Sequence, residues 1–448
     1  MSTAFPLYTE YDPRVPVHYV TPDVARPLHR FFDTSPFSPS GRYLAITDLP
    51  FEDREPRPGD VARVVIVDLQ DGTTRAVADT RGWDSQLGAQ VQWGETDEAI
   101  YFNDLDLRTW EPFGVKLNLT SQKTERLSGT IYMVSNNGRF ALSPCLKRTR
   151  ITQAGYGVVV PPANIPEYDI HEDGIFITDL ASGQTRLLVS IADILERVQP
   201  SLDCDRVRDG QFFGFHVKWN ARDDRIMFVL RWMPHEAIKA ARKAMRYQTP
   251  TFKRGQRLLR KMMRWSRVAG HPARQNYPAR LNYLITCDTK GKNLRVAVDA
   301  DLWARGGHHP NWCPDGDHIL MNLNLNGNGM RFVQMKYDGS DLRIVAPNCQ
   351  GSGHPTMHFD GIHILTDAYP AEPVSFGDGT VPIRWIDTRA DSELALLRIE
   401  SVPRYEGRKR ILRVDPHPAW DRSFTRFAFN ACPGKRRGVF VADLGSAS

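Results

Sequence analysis

One pattern returns seven times along the 448 residues, and no other feature limits the possible folds as sharply. HPNWCPDGDHIL (309–320), HPTMHFDGIHIL (354–365) and HPAWDRSFTRFAF (417–429) align without a gap. The same frame fits HVKWNARDDRIMF from His216, QVQWGETDEAIYF from Gln90, TSPFSPSGRYLAI from Thr34 and IYMVSNNGRFAL from Ile131. Each copy opens with a short strand, turns on Ser-Gly, Asn-Gly, Asp-Gly or a degenerate equivalent, and returns as an apolar strand rich in β-branched and aromatic residues. That pattern predicts a hairpin. Two further strands follow most hairpins, as in ARVVIVDLQDGTTRAVAD (62–79), GIFITDLASGQTRLLVS (174–190) and NYLITCDTKGKNLRVAV (282–298). Seven copies of four strands predict an all-β, seven-bladed β-propeller built as a single domain over residues 1–448. The last copy has only a third strand, GVFVADL (438–444), so PVHYVT (Pro16–Thr21) is expected to supply the fourth and close the ring. A TIM barrel is disfavoured because no helical periodicity separates the strands.

Apolar residues at 41% and charged residues at 25% suit a packed globular core and not a disordered chain. The six cysteines show no CxxC spacing, which argues for reduced core thiols over a disulfide framework or a cysteine-built zinc site. The first twenty residues have neither a basic start nor a long apolar run, and no later stretch approaches a membrane span, so a cytoplasmic location is expected. The net charge of +6 conceals a local excess: segment 234–280 carries thirteen Lys or Arg against Glu236, and removing its +12 leaves the remainder at −6. Within it, RLLRKMMRW alternates basic and apolar residues at helical spacing, which predicts a basic helical insertion in the fourth blade. Such a segment attracts anions. DNA or a membrane surface are possible partners on charge alone, although no nucleic acid is expected.

The first strand of a propeller blade lies nearest the axis, so the starting positions Thr34, Gln90, Ile131, His216, His309, His354 and His417 should face a common centre. Four imidazoles among seven equivalent positions predict a divalent metal ion held by His216, His309, His354 and His417, with Gln90 assisting. The competing reading is a recurring, blade-stabilising hydrogen-bond set of HP and its aspartate-bearing turn, with no ion. Topology also puts three long connections on that rim, roughly Pro144–Glu172, Met233–Ala279 and Tyr369–Val381, where a cleft would form. LKRTRITQAGYG (146–157) brings Arg148, Arg150 and Tyr156 there as catalytic candidates, since arginine grips carboxylates and tyrosine can move a proton. Second strands ending in YFND, VLRW and LTDAYP add Asn103, Arg231, Trp232 and Tyr369 as substrate-binding candidates. No GxGxxG, P-loop, GxSxG or HExxH occurs in a suitable context, which removes the simple arguments for nucleotide, triad-hydrolase or zincin chemistry.

The order WDSQLGAQVQWG (83–94), YFND, the Arg-rich AGYG segment, HVKW, VLRW and GHPTMHFDGIHILTDAYP (353–370) resembles the propeller polysaccharide lyases. These include oligogalacturonate, ulvan and rhamnosyl-glucuronate lyases. The resemblance spans Thr34 to Leu444, though the blade motif itself is shared with nonenzymatic TolB-like propellers. It implies β-elimination at a uronic acid, a tyrosine or histidine moving protons, and a divalent metal (Mn, Zn or Ca) in the channel. On that basis Tyr156 removes the C5 proton and His216 is the reserve base. Arg148, Arg150, Arg231 or the metal neutralises the uronate carboxylate. The substrate is then an imported acidic oligosaccharide, or a polysaccharide of the same class. Ulvan-type lyases often present a histidine where this chain has Asp84 to Gln92, and none is present here. The alternative is a TolB-like interaction module that binds a protein partner.

Overall fold

A computed structural model describes residues 5–246 and 280–445. It contains seven four-stranded antiparallel sheets arranged as the blades of a propeller. Six blades are continuous in sequence, running over 27–80, 92–126, 133–190, 210–298, 307–344 and 356–400. The seventh combines Ala419–Trp420, Arg426–Ala431 and Gly438–Asp443 with Val17–Tyr19 as its outermost strand. Val17 pairs with Ala442 and Tyr19 with Phe440, and the two rings stack with centroids 4.8 Å apart. The closure expected from PVHYVT is therefore present. Removing residues 1–21 should leave Gly438–Asp443 with an unpaired edge and lower the temperature at which aggregation begins in a light-scattering melt. An unchanged onset would show that closure contributes little.

The repeat has a mechanical meaning that the contacts reveal. The tryptophan four places into the motif reaches back to the preceding blade: Trp93 Nε1 donates to the Pro36 carbonyl at 2.8 Å, and Trp420 Nε1 to Thr356 Oγ1 at 3.0 Å. A residue at the end of the second strand reaches forward. Asn103 Nδ2 donates to the Ile131 carbonyl at 2.7 Å while its Oδ1 accepts from the Ile131 N–H at 2.8 Å. Asn322 Nδ2 likewise donates to the Gly353 carbonyl at 2.9 Å, and Asn430 Oδ1 accepts from the His29 N–H at 3.1 Å. Second strands such as Ile226–Leu230 are buried on both faces, and the core lies between successive sheets.

Three features depart from the sequence frame. In the first blade the strand breaks after Pro27–Leu28 and resumes at the Phe37–Leu44 bridge, so residues 29–36 leave the sheet and enter the channel. Phe31 consequently sits among the channel histidines, while Thr34 lines a central cavity bordered by all seven blades. The connection after Pro144 is also not an open loop, because it begins with the fully buried helix Leu146–Thr152. In the basic insertion, His235–Arg246 is helical and packs Ala237, Ile238 and Ala241 against the core. Residues 247–279 of that insertion, including RLLRKMMRW, lie outside the described residues. All six cysteines are free thiols; four are buried, Cys145 is half-buried and Cys204 is exposed. Among the described residues no helix is long and apolar enough to cross a membrane.

Candidate active site in the central channel

Backbone conformation aims the starting residues inward. Gln90, His216, His309 and His417 all adopt positive φ, at 60°, 47°, 56° and 51°, a region that side-chain-bearing residues rarely enter. In the fourth blade Phe215 pairs with Val229 and Lys218 with Met227, so His216 and Val217 together oppose one residue. His309 and Pro310 do the same in the fifth. These bulges swing the imidazoles out of the pleat toward the axis. The sixth blade shifts the device by one residue. Gly353 takes the positive φ of 64°, and a Cβ there would stand 2.1 Å from the Asp367 carbonyl oxygen, so only glycine fits beside His354.

His309 and His354 stack with centroids 3.9 Å apart, and His417 meets His354 edge-on at 4.3 Å. His216 stands apart. Phe31 enters between, stacked on His216 at 5.0 Å and edge-on to His417 at 4.7 Å. The donor atoms that come together are those of His354, Asp415 and His417, all within 4.8 Å of one another. The compact group thus differs from the four histidines anticipated. Gln90 serves another purpose, since its amide oxygen accepts from Arg30 Nε at 2.9 Å.

The donor set suits a divalent cation. His354 Nδ1 donates to the Asp367 carboxylate at 2.9 Å and His309 Nδ1 to the Gly353 carbonyl at 2.7 Å, which leaves both Nε2 lone pairs facing the site. Both lie beside Tyr369 Oη, at 3.4 Å and 3.3 Å. Neither buried ring nitrogen of His417 has a hydrogen-bond partner among the described residues, a costly condition for an imidazole that is 1% exposed. Burial, with the neighbouring positive groups adding to it, holds His216, His309 and His417 well below the ordinary imidazole pKa. Their lone pairs are therefore available at neutral pH.

Tyr156 stands at the same site. Its hydroxyl accepts from Arg413 Nη2 at 3.3 Å, and Arg413 Nε in turn donates to the Asp415 carboxylate at 2.8 Å. The ring lies edge-on to Phe215 at 5.5 Å and to His216 at 5.8 Å. Burial raises the pKa of this phenol, and the Arg413 charge pulls the other way. The AGYG turn that carries it is pinned by Asp84, which accepts from the Gly157 N–H at 2.8 Å and from those of Gln86 and Leu87. Gly157 has φ of 82°, and a Cβ on it would lie 2.4 Å from the Leu146 carbonyl.

Burial pushes the Asp84 carboxyl up to about 7, against the three N–H donors. A raised acid contributes stability that is fully present below its unfolded pKa of about 3.9 and is lost as pH rises through the folded value. Asp84→Asn has no such titration and sets an amide N–H₂ against a backbone donor. The variant should therefore be less stable than wild type at pH 5, with the gap narrowing as pH rises toward about 7 and constant above it. Thermal melts across that range would read it, and a gap independent of pH would refute it.

The remaining candidates divide. Tyr369 belongs to the site. Arg231 lies directly behind it, with its guanidinium 3.3 Å from the Phe215 ring centre and Nη1 3.1 Å from Thr152 Oγ1. Arg150 lines a cavity of about 530 Å³ beside the channel, together with Arg408, Arg413 and Ala241. Arg148 has a structural setting: it pairs with Asp173 at 3.1 Å between the rings of Tyr168 and Phe213. Trp232 is buried in blade packing with Nε1 on the Val207 carbonyl at 3.0 Å, and the Asn103 amide is engaged by Ile131 as an inter-blade clamp. Sequence reasoning missed Arg413, Asp415, Tyr132, Phe31 and Asp84. RVD, one residue before HPAW, and Tyr132, directly after Ile131, lay next to the repeat and could have been found from its frame. Tyr132 Oη makes a short hydrogen bond to His216 Nδ1.

No family model and no curated protein matches this chain. Among solved structures it is similar to an oligogalacturonate lyase in complex with manganese, with a TM-score of 0.58 and 12% identity over 99% of this chain and 96% of that one. An oligogalacturonate lyase from Vibrio parahaemolyticus follows at 0.57 and 11% identity, over 99% and 97%. TolB from Acinetobacter baumannii aligns at 0.36 and 9% identity over 74% of this chain and 58% of that one. At such identities the two lyases establish a shared propeller fold.

Proposed function

We propose that this protein is a lyase that cleaves a uronic-acid-containing oligosaccharide by β-elimination. The observation that carries the reading is the Tyr156–Arg413–Asp415 chain set against the histidine cluster at one mouth of the channel. The shared fold with two oligogalacturonate lyases, one of them in complex with manganese, supports it.

In such a reaction the C5–H and C4–O bonds break, a C4=C5 double bond forms, and the glycosidic oxygen departs with a proton. Removing the C5 proton is difficult while the adjacent carboxylate keeps its full charge, so positive charge must stand against it. Arg413 supplies part of this next to the tyrosine. A divalent ion (Mn, Zn or Ca) held by His354, Asp415 and His417, with His309 adjacent, would supply further positive charge to the carboxylate. Tyr156 takes the C5 proton and returns a proton to the leaving oxygen, with neutral His216 as the second candidate base. Arg150 and Arg408 at the neighbouring cavity suit the carboxylates of flanking uronates.

Incubation with a panel of acidic oligosaccharides, read by the ultraviolet absorbance of the conjugated product, tests this. No new absorbance with any uronate would refute it. The thirteen cations of segment 234–280 should draw the anionic chain in over long range. Exposed charges are screened beyond about 8 Å at physiological ionic strength. Added salt should therefore raise KM more than it lowers kcat, and a salt-independent KM would remove the insertion from the account.

A further inference from the structure

At the far end of the sixth blade's first strand from His354, the hairpin HFDGIH gathers a second set of donors, His358, Asp360 and His363. Asp360 organises the turn: its Oδ1 accepts from the N–H groups of Ile362 at 2.8 Å and His363 at 3.0 Å. That leaves Oδ2, which lies 3.0 Å from His358 Nδ1 and 2.7 Å from His363 Nδ1. The fifth blade has the same Asp–His pair in its turn, Asp315 Oδ2 to His318 Nδ1 at 2.6 Å. That pair alone is therefore a hairpin device. What the sixth blade adds is His358, where the fifth has Cys313.

His358 is 5% exposed, and its Nε2 lies 3.3 Å from the Phe424 carbonyl of the next blade. With a ring proton on Nε2, directed at that carbonyl, the Nδ1 lone pair faces the Asp360 carboxylate. Two acceptors then confront each other. Accordingly Nδ1 has no hydrogen-bond partner among the described residues. With the two atoms 3.0 Å apart, a cation held by both from one side would relieve the contact. The outer nitrogens have the oxygen neighbours common around metal-bound histidines: the Phe424 carbonyl for His358, and Asp387 Oδ2 at 3.7 Å from His363 Nε2. Asp360 and His363 are each 26% exposed at the side chain, which leaves an approach for an ion and for water to complete its coordination.

We propose that His358 Nδ1, Asp360 Oδ2 and His363 Nδ1 bind a divalent first-row ion, zinc above all, separate from the channel. Two imidazoles and one carboxylate with an open position are a ligand set that zinc accepts. The ion would tie the sixth blade's hairpin, through the His358–Phe424 hydrogen bond, to the turn of the seventh.

Chelator-stripped protein equilibrated with Zn²⁺ and freed of excess should hold one more equivalent of zinc than either His358→Gln or Asp360→Asn. Asp360→Asn keeps an oxygen for both turn N–H groups, so the hairpin stays formed. His417→Gln serves as an independent control: zinc lost there and retained in the hairpin variants would support only the channel group and overturn this proposal. Zinc lost only in the hairpin variants would support it while counting against the channel group. As a second reading on the unaltered site, Cu²⁺ should quench the fluorescence of Trp385, whose ring stacks on His363 at 4.8 Å, and that component should vanish in Trp385→Phe. Equal zinc in wild type and both hairpin variants would identify the contact as an imidazolium–carboxylate pair and overturn the site.

Discussion

Tyr156→Phe should lower kcat on a confirmed uronate substrate by about 10²-fold or more and leave KM nearly unchanged. The substitution removes one hydroxyl and keeps the ring contacts with Phe215 and His216, so the site retains its shape. What it loses is the proposed proton carrier and the acceptor for Arg413. The pH profile separates this role from a bystander's. Burial raises the phenol's pKa, so the ionised fraction grows with rising pH, and kcat should climb through the neutral and alkaline range until the fold fails. The residual rate of Tyr156→Phe should lack that slope. If His216 is the base instead, burial has already removed its proton well below the ordinary imidazole value. Wild type would then be flat across neutral pH, and Tyr156→Phe would keep near-normal turnover.

Asp33→Ala should destabilise the fold by about 3–5 kcal/mol, the cost of leaving buried charge without its partner. Asp33 sits in the segment that fills the channel. Its carboxylate meets Arg30 Nη1 at 2.6 Å and Lys218 Nζ at 3.0 Å, and the side chain is fully buried. Lys218 is itself 1% exposed and lies over the Phe32 ring at 4.5 Å, so alanine at position 33 leaves two enclosed cations repelling each other. Burial alone would raise the Asp33 pKa, but Lys218 and Arg30 outweigh it and hold the value below the ordinary carboxyl range. The contribution is accordingly present above the unfolded pKa of about 3.9 and disappears as pH falls through the lower folded value. Denaturant titrations at neutral pH should show the midpoint falling with the slope unchanged, and the difference from wild type should shrink only in strong acid. Identical midpoints would mean that the ion pairs do not hold the channel segment in place.

The seven blades were legible because each copy carries a local signal, a polar turn between two apolar runs, and because the motif's tryptophan and asparagine fix neighbouring blades. Asn103 shows the limit of that signal. Its position at the end of a strand on the site-bearing rim suggested a substrate contact, whereas its amide engages Ile131 in the next blade. Arg148 is a similar case, because AGYG and its arginines read as one loop while the structure folds the arginines into the buried helix Leu146–Thr152, where Arg148 pairs with Asp173. Tyr369, at the end of a second strand, and Tyr156, on the connection that follows another, both lie beside the channel histidines as the blade frame suggests. Arg413 was not, since its contact with Tyr156 joins positions 257 residues apart.

Sequence by itself determined the architecture, the ring closure, and the end of the channel at which histidines accumulate, since these follow from a periodic pattern and the direction of each strand. Which imidazoles come together was decided only by the tertiary structure. Side-chain direction there depends on bulges at positive φ, and those arise from the register between neighbouring strands. The position of Phe31 was decided in the same way. Residues 29–36 leave the first blade to fill the channel, where Asp33 finds its two cations and Phe31 separates His216 from the other imidazoles. No repeat encodes that excursion, because it satisfies the centre that all seven blades create together.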